Sequence, residues 1–182
     1  MTVSTPPSAG RALAVACGLA LVATLAPLGL AAALTPPDET VALESVDIIT
    51  LGGADPALSA TARRSCDRRA SLTMGAHEFT CGEVTVVTRS AEEVEDLPRF
   101  GVRAIRAATF ADASPPEMTR ATTGAGLTAW TGGPTRVGDT AYSVIVLGEQ
   151  GSSNALVAVL SGPEGEVTET TAALLADVRR AP

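Results

Sequence analysis

A chain of 182 residues with 13 Lys or Arg against 20 Asp or Glu carries a net charge of −7, and every one of its strong cations is Arg. So acidic a surface repels phosphate backbones, and an aromatic share of 3% leaves no stacking platform for bases, which excludes nucleic acid as a partner class. The length suits one domain behind a targeting segment, and no internal repeat points to a larger array.

Residues 1–11 form a short N-terminal tail ending in Arg11, and residues 12–34 then run without a charge. As a helix that run rises roughly 34 Å, enough to cross a hydrocarbon core of about 30 Å. Two readings compete. In the first the run is an uncleaved transmembrane anchor, favoured by its length. In the second it is a signal peptide, favoured by the break at Pro27 and Gly29 and the small residues Ala31, Ala32 and Ala33. Either one exports the remainder of the chain. Arg11 on one flank against Asp38, Glu39, Glu44 and Asp47 on the other keeps the N-terminus in the cytoplasm and sends the C-terminal part out. Cys17 comes too early in the run for a lipid-attachment site and reads as a small apolar residue.

Residues 35–40, with Pro36 and Pro37, form a stiff spacer, and residues 41–182 form an extracytoplasmic domain. Val41 to Leu51 alternates in β-branched residues and predicts a strand. Asp55 and Pro56 mark a helix start, so a short helix is expected over 56–64. A strand over 70–74 and another over 78–89 come after it. Ser90 and Glu93 have the spacing of a capping box, which predicts a helix over 91–110 with Val94, Leu97, Gly101, Ala104, Ile105 and Ala108 on one face and Pro98 kinking its interior. Residues 112–126, with Pro115 and Pro116, read as a loop. Strands over 126–131, 140–148 and 155–161 come next, broken at Gly132-Gly133-Pro134 and at 151–154. The last two are apolar on both faces, as strands covered above and below must be. A final helix over 163–180 would bury Val167, Thr171, Leu174, Leu175 and Val178 and end on Arg179 and Arg180. The expected fold class is α+β: a mainly antiparallel sheet packed with two longer helices, behind the N-terminal transmembrane helix or signal peptide.

Cys66 and Cys81 are the two cysteines of the domain, and in an oxidising compartment they pair as a disulfide. Arg63, Arg64, Arg68 and Arg69 bracket Cys66, and form a candidate contact for an anion, an envelope protein or anionic lipid; the alternative is a solvated helix end paired with nearby acids. A metal site is not expected with His77 the sole histidine, and His77 and Glu78, adjacent on a strand, point to opposite faces. The sequence lacks the motifs of common hydrolases and of nucleotide binding, so no cofactor is expected.

The expected role is therefore a membrane-tethered extracytoplasmic domain of the cell envelope, single-pass and non-enzymatic, acting by binding or as a structural module. The alternatives are a secreted protein released by signal cleavage that carries an apolar ligand, or an enzyme of unfamiliar type working through carboxylates such as Glu78, Glu83 or Asp139.

Overall fold

The computed structural model of the chain describes residues 44–52, 58–110, 113–123 and 127–181. The apolar run 12–34, the spacer 35–40 and the Asp55-Pro56 helix start lie outside these residues. Among the described residues no helix is long and apolar enough to cross a membrane.

The described residues form nine strands and two helices: β1 Glu44–Leu51, β2 Ala60–Arg69, β3 Ala76–Cys81, β4 Val84–Ala91, α1 Leu97–Ala108, β5 Met118–Thr122, β6 Leu127–Val137, β7 Thr140–Glu149, β8 Ala155–Gly162, α2 Glu164–Asp177 and the two-residue β9 Arg179–Arg180. The strands make one antiparallel sheet in the order β1-β2-β3-β4-β8-β7-β6-β5, with β9 pairing to β2. An antiparallel sheet with a helix on each face is an α+β fold, as expected.

The central strands explain the two-sided layout. On β7, Ile145 and Leu147 point to one face and Val144 and Val146 to the other; on β8, Leu156, Ala158 and Leu160 oppose Ala155, Val157 and Val159. Burying a Val, Leu or Ile side chain contributes about 1.5–3 kcal/mol, so a sheet apolar on both faces needs two covers. α2 covers the first face through Val167 and Leu174, both fully buried. α1 covers the second through Ile105, with Leu97, Phe100 and Ala104 beside it. The β1–β2 end of the sheet curls over the first face next to α2, placing Ile49, Leu51, Ala60 and Ala62 in the same core. Buried Thr88 on β4 fastens that curl by donating its hydroxyl to the carbonyls of Thr50 at 2.9 Å and Gly52 at 3.3 Å.

Several expectations are corrected here. The helix expected over 56–64 is not formed in its described part, because Ala60 onward belongs to β2, paired with β1 and β9. The segment 70–74, expected as a strand, is the tip joining β2 to β3. The strand expected over 78–89 is a hairpin: Cys81 pairs with Val84 across Gly82-Glu83, and Gly82 takes φ 63°, a left-handed conformation that glycine adopts without penalty.

Backbone pairing of Ser90 and Ala91 with Leu156 and Ala155 carries β4 through the expected capping box. The helix begins later, where the Asp96 carboxylate accepts from the Arg99 amide at 2.9 Å. Pro98 therefore sits in the first turn, where its missing amide costs nothing, rather than in a kinked interior. Residues 118–122, expected as loop, form the edge strand β5. Gly132-Gly133-Pro134 does not end a strand: it lies within β6 at a register shift between Gly132 and Thr135. α2 stops at Asp177, before the two terminal arginines, but the Arg179 guanidinium still donates to the Ala176 and Val178 carbonyls at 2.9 and 2.8 Å.

Candidate binding surface

The sulfurs of Cys66 and Cys81 are at bonding distance, and their Cα atoms are 4.5 Å apart, the spacing of a directly opposed pair on neighbouring antiparallel strands. Both residues are buried. The bridge sits where β2 parts from β3: the two strands pair only at Asp67–Thr80, Arg68–Phe79 and Arg69–Glu78, whereas Ala60 and Thr61 at the start of β2 pair with β9, and β1 runs along β2 from Ala60 to Arg68.

The four arginines around Cys66 are on a strand and do not share one patch. Between Val46 and Ile48 the register shifts, so that β2 spans Arg63 to Cys66 against a shorter stretch of β1. Arg63 lines a shallow cleft of about 410 Å³ with Ile48, Thr61, Asp177 and Arg179. Arg64 is half-buried. Arg68 and Arg69 are exposed at the far end of β2, and strand alternation sends them to opposite faces. Arg68 Nη2 lies 3.0 Å from His77 Nδ1. Arg69 is opposite Glu78.

Beyond Arg69 the β2–β3 tip carries Leu72 and Met74 with relative exposures of 103% and 97%. Thr73, between them, borders a cleft of about 400 Å³ on the second face of the sheet, floored by Val87, Val157 and Val159 and walled by Ala104, Ala107 and Ala108 of α1. Arg89 and Tyr142 also line it. Two residues after Ala108, Phe110 is 90% exposed and holds φ 51°, a backbone conformation costly for a bulky residue. Three large apolar side chains left in water are thus close in sequence to residues that line this cleft, Leu72 and Met74 beside Thr73 and Phe110 two positions after Ala108. Sequence reading missed all three, because Leu72 and Met74 fell in an expected strand and Phe110 at the end of an expected helix. The one available signal was Gly75, whose φ of 71° turns the tip.

The carboxylates named as catalytic alternatives occupy three places: Glu78 within β3, Glu83 in the β3–β4 turn and Asp139 in the β6–β7 turn. The Glu83 amide donates to the Glu166 carboxylate at 3.4 Å, which ties that turn to the start of α2. Among the described residues no group of three or more His, Cys, Asp or Glu side chains is placed to hold a metal ion.

The class defined by these features is an α+β domain with an antiparallel sheet covered on each face by one helix, cross-linked between β2 and β3. No protein-family model, curated protein or solved structure matches the chain.

Proposed function

We propose that the protein is a membrane-tethered, extracytoplasmic, non-enzymatic domain that works by binding, or by supporting an assembly of the cell envelope, with residues 12–34 as its tether. The observation that carries the binding role is the exposure of Leu72, Met74 and Phe110, each within two residues of a side chain that lines one cleft. Isolated exposed apolar residues are ordinary, but several bordering one concavity are characteristic of contact surfaces. The Cys66–Cys81 bridge supports the export, since structural disulfides persist in oxidising compartments.

Two measurements test the reading. The N-terminal mass of protein from its native membrane fraction retains residues 1–34 if the segment is an anchor and lacks them if it is a cleaved signal. A photo-crosslinking residue at position 72 of the full chain in native membranes captures a partner, protein or lipid; adducts no more abundant than those from a residue placed at Glu169, on the exposed side of α2, would count against a binding surface at the tip.

A second reading draws on the cleft itself. Its 400 Å³ falls within the range of small-molecule sites, and Val87, Val157 and Val159 suit an apolar ligand. Native mass spectrometry of the purified full chain would then show a co-purifying small molecule, lost on Val159→Asp substitution.

A further inference from the structure

The same surface has a direction and a charge. The β2–β3 tip, between Arg68 and Ala76, holds two arginines and no acid on a chain of net charge −7. Arg89 stands beside it, paired in register with Ala76 at the start of β3, and Arg106 lies in the last turn of α1, just before Phe110. Two acids stand across the sheet from the tip arginines, Glu44 on β1 in register with Arg68 and Glu78 on β3 in register with Arg69. Among the described residues neither Arg69, Arg89 nor Arg106 forms an ion pair; the two formed are Arg136–Glu164 and Arg180–Glu149, elsewhere in the domain. Apolar tips ringed by guanidinium groups are what a phospholipid interface receives: side chains reach the acyl boundary while arginines meet phosphates.

The path of the chain points the same way. β1 begins at Glu44, in register with Arg68, so the chain comes into the domain at the end of the sheet from which the tip protrudes.

We propose that the β2–β3 tip and the segment after α1 form a docking surface for an anionic lipid bilayer, with Leu72, Met74 and Phe110 entering the interface and Arg68, Arg69 and Arg89 engaging lipid phosphates. This rests on the reading that residues 12–34 tether the protein. It goes further in naming the bilayer as the partner and in setting the orientation: the curled first face, covered by α2, is turned sideways and Trp130 stays clear of lipid.

The test uses the full chain reconstituted into vesicles of brominated phosphatidylcholine, with or without phosphatidylglycerol. Leu72→Trp places a reporter on a side chain that is wholly exposed, so the substitution leaves the core untouched, and the unsubstituted chain supplies the Trp130 background. The expected result is bromine quenching and a blue shift of the added tryptophan that strengthen with phosphatidylglycerol. Arg68→Gln and Arg69→Gln should each lower the docked-to-undocked ratio about fivefold. Phe110→Ser should lower it about tenfold. Emission that remains water-like and unquenched in both vesicles overturns the proposal, as does quenching indifferent to phosphatidylglycerol. Shielding of the reporter from iodide in native membranes but not in protein-free lipid also overturns it and assigns the surface to a protein partner. An alkaline carbonate wash reads the tether separately: protein stripped from vesicles after showing quenching keeps the docking and loses the anchor, whereas retained, unquenched protein does the reverse.

Discussion

Breaking the Cys66–Cys81 bridge offers the sharpest test of how the domain is held together. The bond closes a loop of 15 residues. In the chain-entropy treatment that closure removes freedom from the unfolded ensemble equivalent to about 3 kcal/mol. Between these two strands the sheet offers little to replace it, since β2 and β3 share only the three register pairs from Asp67 to Arg69. Reduction with dithiothreitol isolates this contribution without altering side-chain volume. Urea unfolding of the full chain in mild detergent should lose about 3 kcal/mol on reduction, and thermal unfolding should drop by roughly 6–12 °C for a protein of this size. The double substitution Cys66→Ala/Cys81→Ala should cost slightly more, because two buried sulfurs are lost as well. Oxidised and reduced forms unfolding within about 1 kcal/mol of each other would show that the fork between the strands is held by something other than the bridge.

The packing supplies four further tests. Leu174→Ala should cost about 2–5 kcal/mol and Ile105→Val about 0.5–1.5 kcal/mol. Because the sheet separates their two cores, the combined loss in urea unfolding should equal the sum within about 0.5 kcal/mol. Gly101→Ala improves helix propensity, yet the new Cβ would stand 2.5 Å from Met118 Cε and 2.9 Å from stiff Val146 Cγ2. It should therefore destabilise by about 1–3 kcal/mol, with part of the loss recovered by Met118→Ala in a double-mutant cycle. Thr88→Val keeps the shape but removes the donor to Thr50 and Gly52, and calorimetry should show a loss of about 1–3 kcal/mol. Asp96→Ala should cost about 1 kcal/mol through the lost cap on α1, with hydrogen exchange rising first at the Arg99 amide.

Parts of the fold were legible where a local pattern and the tertiary environment agree. β7 and β8 announce themselves as two-sided apolar runs, and the buried stripe of α2 follows helical spacing through Val167, Thr171 and Leu174. The errors fall where local signals compete. Ser90 and Glu93 satisfy the spacing of a helix start, but extending β4 alongside β8 takes precedence, and the cap passes to Asp96. β2, with its run of arginines and small residues, has little intrinsic preference for a strand; its partners β1, β3 and β9 and the sulfur bridge make it one. β5 is an edge strand of threonines and arginine with only intermediate or exposed positions, so no alternation marks it. Of the binding surface, the Arg68–Arg69 pair and the disulfide were readable. The meeting of the tip with the end of α1 was not, since it depends on how residues distant in sequence are brought to the two walls of one cleft.

β7 and β8 are apolar on both faces, and a strand of that kind lacks much of the usual guard against sliding along its neighbour, because within the apolar run a one-residue slip puts one aliphatic side chain in the place of another. Alignment then has to come from notches rather than from polarity. Gly148 is such a notch: a Cβ there would stand 2.7 Å from Leu97 Cδ1, so a slipped β7 would drive Leu147 or Glu149 into the seat of α1. Gly132 does the same on β6, where a Cβ would collide with the Met118 sulfur. Missing side chains, set against a helix on one strand and a neighbouring strand on the other, keep the middle of the sheet in step.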